Sequence, residues 1–211
     1  MDKTEAAIAL FDSVAQEYQD KFMDLSLYQQ SLDVFCESIK DEKAKVLELA
    51  CGPGNITQYL LSKKPDWDIL ATDLAPAMLK LAKKNNPTAK FQALDSRKID
   101  QLNEQYKAII AGFLIPYLPK DGVEKLIQDA FNLLEEGGIL FLSTMEDDFH
   151  KSGWKGPSSG GEKRLYTYYY QADYLKSLLE KYHFTIMDLR RVQQHLNDEN
   201  AINDVLIIAK K

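Results

Sequence analysis

The sequence predicts an α/β fold: a doubly wound, seven-stranded, mostly parallel sheet with an antiparallel last strand and helices on both faces. Apolar, β-rich runs alternate with amphipathic stretches along most of the chain. Breaks at Pro65, Asn85-Asn86-Pro87 and Gly137-Gly138 separate them. The 211 residues, 45% hydrophobic and 27% charged, suffice for one domain with a full core.

In chain order, residues 4–40 read as one or two amphipathic helices carrying Phe11, Tyr18, Phe22 and Tyr28. Strands are expected at Lys45–Ala50, Asp68–Asp73, Ala89–Leu94, Lys107–Gly112, Ile139–Met145, Phe184–Val192 and Ala201–Ala209. Helices are expected near Asn55–Lys63, Pro76–Asn85, Gly122–Leu134 and Gln171–Tyr182. Right-handed crossovers would set these helices on both faces of the sheet. The stretch from His150 to Glu162, with four glycines and Pro157, reads as a long loop or lid.

Charge and composition narrow the function. The chain has 26 basic and 32 acidic residues, a net charge of -6, the wrong sign for a polyanion partner, so no nucleic acid is expected. No apolar run approaches the roughly 18 residues of a membrane span, so no membrane is expected either. Met1-Asp2-Lys3-Thr4-Glu5 lacks the order of a secretion signal. Cys36 and Cys51 make neither a disulfide framework nor a metal site, and a cytoplasmic location is expected.

The informative segment is Val46-Leu47-Glu48-Leu49-Ala50-Cys51-Gly52-Pro53-Gly54, a strand running into a turn and then a helix. Glycine at such a turn permits positive φ and lets a ligand approach bare backbone. In open α/β sheets, ligands bind beyond the carboxyl ends of the strands. Asp73 ends the second expected strand, about 20 residues beyond the glycines, where a carboxylate can accept from both ribose hydroxyls. Asp95-Ser96 ends the third, where a carboxylate can take an adenine amino group and a backbone amide can reach a ring nitrogen. Each acid alone would pass for a cap or a solvated loop residue. Three acids with the glycines point to an adenosine ligand.

This constellation resembles the class I S-adenosylmethionine-dependent methyltransferases over roughly residues 10–210. The family motif, acid-x-x-x-Gly-x-Gly, is matched by Glu48, Gly52 and Gly54. The resemblance implies a single methyltransferase domain over 1–211. Within it would lie a helical cap (1–40), a cofactor core (45–145), a lid insertion (146–168) and a C-terminal helix with a strand pair (169–211). It implies S-adenosylmethionine as cofactor, Asp73 on its ribose and Asp95 with Ser96 at its adenine, flanked by Leu74 and Met78. Gly112 and Phe113 would lie along its methionine part, with Tyr18 covering it and Ala50 also among the cofactor-binding residues. Leu133-Leu134-Glu135-Glu136-Gly137-Gly138 resembles the family's turn into the fifth strand.

A dinucleotide-dependent oxidoreductase is the nearest competitor, but its fingerprint needs a third glycine where Thr57 stands. An idle S-adenosylmethionine-binding module is the other alternative, and the retained acids argue against decay. Methyl transfer from a sulfonium is an in-line displacement that depends chiefly on alignment of donor and acceptor. A general base helps only if the acceptor must lose a proton.

For the acceptor, Phe113-Leu114-Ile115-Pro116-Tyr117 stands where base-amino methyltransferases carry Asn/Asp-Pro-Pro-Tyr/Phe, and the polar residue is missing. A small-molecule acceptor is therefore expected. His150 is the candidate base, and Tyr117, Tyr168 and Tyr170 are candidates to line the acceptor pocket with it; Tyr117 is also a candidate catalytic group. His183, expected to start a strand, and His195, in a hairpin turn, read as structural. Glu146-Asp147-Asp148 lacks a second cluster, so no metal is assigned.

Overall fold

The computed structural model describes residues 2–156, 164–193 and 203–211. The chain opens with helices α1 (Lys3–Ser13), α2 (Ala15–Phe22) and α3 (Gln29–Ser38). Strand β1 (Lys45–Leu49) follows, then α4 (Asn55–Lys63), β2 (Asp68–Asp73), α5 (Pro76–Asn85), β3 (Lys90–Ala93), β4 (Tyr106–Ala111), α6 (Lys120–Leu133) and β5 (Leu134–Glu146). The last third contains β6 (Gly153–Lys155), β7 (Leu165–Thr167), α7 (Ala172–Lys181), β8 (Thr185–Gln193) and β9 (Asn203–Lys210).

Seven strands form one sheet in the order β3-β2-β1-β4-β5-β9-β8. β1 to β5 are mutually parallel, and β9 runs antiparallel between β5 and β8. This is the doubly wound sheet with an antiparallel last strand that the alternating pattern predicts. The central strands read as nearly continuous apolar runs because both faces are covered. On one face Leu47, Leu49, Ile109, Leu140 and Ile207 pack with Leu126 and Ile127 of α6 and Leu175 and Leu179 of α7. On the other, Val46, Ile69, Ile110, Phe141 and Ile208 pack with Leu32 and Phe35 of α3 and Leu60 of α4.

Several boundaries differ from the sequence reading. The N-terminal region holds three helices rather than one or two, because Asp2 caps α1 with bonds from Thr4 N–H (2.7 Å) and Glu5 N–H (3.3 Å), and the chain turns again at Val14 and Ser26–Tyr28. Strand β5 begins at Leu134 rather than Ile139. Gly137, at φ 70°, shifts its register against β4 instead of ending an element. His183, also at positive φ (64°), lies in the turn before β8 rather than in the strand. The expected loop from His150 includes a short 3-10 turn (Phe149–Lys151) and β6, which pairs with β7 as a separate two-stranded sheet. Residues 157–162 of that loop, His195, and Ala201 and Ile202 of the last expected strand lie outside the described residues.

Candidate cofactor site

The switch point of this sheet lies between β1 and β4, beyond whose carboxyl ends a cleft is expected. There the chain after β1 holds Ala50 (φ 53°), Gly52 (φ 54°) and Gly54 (φ 81°) in left-handed backbone. Gly54 N–H donates to the Cys51 carbonyl at 2.9 Å, and Cys51 N–H to the Thr72 carbonyl at 2.8 Å, which pins the turn against β2. The two motif glycines have different duties. A Cβ on Gly54 would stand 2.4 Å from Asn86 Nδ2 and 3.2 Å from Ala82 Cα, so this glycine lets α4 pack against α5. A Cβ on Gly52 would meet only Tyr18, at 3.9 Å.

A cleft with about 840 Å³ of atom-free space opens over Gly52. Ala50, Gly52, Gly112 and Phe113 line it, with Asp73, Leu74, Met78, Asp95 and Ser96 and with Tyr18 and Tyr117. Eleven expected site residues therefore meet in one cleft. Five do not line it. Glu48 points instead at α4, where its Oε2 accepts from Thr57 Oγ1 at 2.5 Å. Gly54 lies under the turn. Tyr168 lines a neighbouring cleft with Lys3, and its ring lies 4.7 Å from that of Tyr166. Tyr170 is buried in the core and donates its hydroxyl to the Leu118 carbonyl at 2.7 Å. His150 is exposed on the 3-10 turn after β5.

The structure adds residues that sequence reasoning does not single out. Thr4 and Ile8 of α1 line the cleft beside Phe11, an aromatic residue already marked in the sequence, whose ring lies 5.2 Å from that of Tyr117 and 5.8 Å from that of Tyr18. Arg97 lines it beside Asp95. The amphipathic pattern of residues 4–40 signals helices there, but no periodicity says which sheet edge they cover. Arg97 carries no sequence signal beyond its place two residues after Asp95.

The electrostatics follow from burial. Asp73 Oδ2 accepts from Gly52 N–H at 2.9 Å and Oδ1 from Ala75 N–H at 2.8 Å. Burial raises its carboxyl above the ordinary range, and these backbone donors pull the other way. A carboxylate has about four acceptor positions, so Asp73 keeps acceptor capacity for a ligand's hydroxyls beyond these backbone donors. Burial, with the Asp73 charge beside it, pushes the Tyr18 phenol up to about 12. Burial also raises the Tyr117 phenol, with Tyr18 and Tyr169 adding to it, so both hydroxyls stay protonated at neutral pH. Burial of Asp95 disfavours its charge, but bonds from Arg97 outweigh this and hold the carboxyl below the usual range.

Residues 46–138 match the family model of a methyltransferase domain. Over this segment, less than half of its length, the chain is similar to S-adenosylmethionine-dependent methyltransferases. The family's methyl donor is S-adenosylmethionine. The methyltransferase segment is 33% identical over 101 residues to a trans-aconitate 2-methyltransferase of Variovorax paradoxus, covering 48% of this chain and 38% of that protein. It is 33% identical over 110 residues to a malonyl-[acyl-carrier protein] O-methyltransferase of Acetivibrio thermocellus, covering 49% and 37%. The match thus spans less than half of each relative's length. The fold is similar to that of magnesium protoporphyrin IX methyltransferase from Synechocystis PCC 6803 with bound S-adenosylmethionine. The TM-score is 0.72 at 14% identity, with 100% of this chain and 98% of that one covered. The methyltransferase fold has no helix, among the described residues, long and apolar enough to cross a membrane, and no group of His, Cys, Asp and Glu among them could hold a metal ion.

Proposed function

We propose that this protein transfers the methyl group of S-adenosylmethionine to a small-molecule acceptor, with the donor held in the cleft above Gly52. The observation that carries the reading is Asp73: backbone N–H groups, Gly52 on Oδ2 and Ala75 on Oδ1, fix it, and it lines the cleft with acceptor positions left. Those positions suit the two ribose hydroxyls. Asp95 and Ser96 suit the adenine edge, with Leu74 and Met78 on its faces. The Ala50–Gly52 turn and the Gly112-Phe113 backbone suit the methionine part, with Tyr18 over it.

The bound donor supplies a methyl group already activated on a sulfonium, so the chain's task is alignment and exclusion of water. Phe11, Tyr18 and Tyr117 put aromatic surface on the roof side, where ring faces stabilise a positive charge. Tyr117 borders both this cleft and the one lined by Lys3 and Tyr168, which suits an acceptor entering from that side. The relatives named for trans-aconitate and malonyl-[acyl-carrier protein] support acceptors of low mass or carried on a protein. We place Tyr170 and His150 outside the reacting region, and Glu48 and Gly54 beneath the donor as supports of the loop.

The test is transfer of label from methyl-tritiated donor into a whole-cell extract that is then separated into low-mass and macromolecular fractions. The reading predicts demethylated donor and label in the low-mass fraction, both lost in Asp73→Ala. Label confined to the macromolecular fraction would contradict a small acceptor, and no turnover at all would contradict the activity.

A further inference from the structure

Asp95 and Arg97 form a closed unit at the mouth of the cleft. Asp95 caps the 3-10 turn Ser96–Gln101 by accepting from Arg97 N–H at 2.9 Å. The guanidinium of the same residue folds back onto the same carboxylate. Its Nε lies 2.9 Å from Oδ1 and 3.1 Å from Oδ2, and Nη2 lies 2.6 Å from Oδ2. Its third nitrogen, Nη1, donates to Thr4 Oγ1 of α1 at 3.0 Å, which fixes the plane of the fork from the other side. The Asp95 side chain is 13% exposed and that of Arg97 41%.

Three N–H hydrogens from one residue thus converge on Asp95, the single one on Nε being shared between Oδ1 and, over the longer distance, Oδ2, while the carboxylate has about four acceptor positions. One position is left. Both residues line the cleft. A bidentate fork also restricts the carboxylate to one rotamer and plane, which a single ammonium cannot do.

We infer that Arg97 is a positioning residue for adenine recognition, holding Asp95 with one acceptor position free for the exocyclic amine. The inference rests on Asp95 as the adenine acid of the reading proposed above. The contact specifies the base: a carboxylate with one open acceptor position takes an amine donor and repels a carbonyl oxygen. Arg97 reaches that contact only through Asp95.

The experiment compares binding of S-adenosylhomocysteine with its deaminated analogue, S-inosylhomocysteine, in which a carbonyl replaces the amine. Both are titrated calorimetrically into wild type, Arg97→Ala and Arg97→Lys. Wild type is expected to favour the adenosyl compound by about tenfold or more, the scale of one hydrogen bond to a charged group. Both variants are expected to lose most of that preference, Arg97→Lys because its charge remains without the fork. Retention of the wild-type preference in either variant, including an equal weakening of both ligands, overturns the inference. Lack of preference in the wild type overturns it as well, by removing Asp95 from the amine. Failure of the wild type to bind either compound is a separate result that sinks the methyl-donor reading itself and the inference with it.

Discussion

Glu48 is 1% exposed in β1, with one carboxylate oxygen on the Thr57 hydroxyl and the other, Oε1, unpartnered among the described residues. Burial pushes its carboxyl from 4.5 up to about 8, against the pull of the Thr57 hydrogen bonds. In the unfolded chain the group titrates at its ordinary value. Between those two values the native state keeps a proton that the unfolded chain has lost, so stability falls as pH rises through this window. The slope is at most about 1.4 kcal/mol per pH unit. Glu48→Gln cannot titrate and keeps an acceptor for Thr57. Its thermal midpoint should therefore exceed that of wild type at pH 9 and converge with it near pH 4.5. Parallel curves for the two proteins would show that Glu48 carries none of this dependence. The motif makes Glu48 legible in the sequence as a singled-out acid. That its partner is Thr57, the residue standing where a dinucleotide fold needs glycine, emerges only when α4 is packed on β1.

At the scale of elements, the two motif glycines separate stability from binding. Gly54→Ala would drive a methyl into Asn86 and the Ala82 backbone at a residue with φ 81°. Strain and overpacking together should cost about 2–4 kcal/mol, read as a lower urea midpoint. Gly52→Ala meets only Tyr18, at an ordinary contact distance of 3.9 Å, so only the backbone strain of about 1–2 kcal/mol applies. Its larger effect should be on ligand affinity. If the two variants lost equal stability, the assignment of separate duties would fail. The roof makes a further prediction. Phe11→Ala removes edge contacts to Tyr18 and Tyr117, each worth about 0.5–1.5 kcal/mol. Stopped-flow measurement should find S-adenosylhomocysteine leaving several-fold faster, and an unchanged rate would mean that α1 does not close over the ligand. A helical N-terminal region is readable from amphipathic spacing. Its break into α1, α2 and α3 is not, since it turns on single caps such as Asp2.

For the molecule as a whole, the sheet was readable because its parallel strands are covered on both faces and announce themselves as apolar runs. The switch point then follows from the strand order, and eleven of the expected residues meet there because all but Tyr18, which α2 supplies, end or follow a strand on the same edge. What escaped the sequence depends on long-range packing. The β6–β7 pair hides in a glycine-rich stretch, and Tyr170, alternating with Tyr166 and Tyr168, turns inward to Leu118 rather than to the cleft. Arg97 is recognisable only once its guanidinium is seen across Asp95 and Thr4.

The central claim, that the cleft above Gly52 holds the methyl donor by Asp73, is tested most directly by calorimetric titration of S-adenosylhomocysteine. Wild type and Asp73→Ala are compared, with circular dichroism verifying that both are folded. Loss of two hydrogen bonds to a charged group, about 1.5 kcal/mol each at the low end, predicts saturable one-to-one binding weakened about 100-fold or more in the variant. Equal affinity in the two proteins, or no binding heat in the wild type, would contradict it.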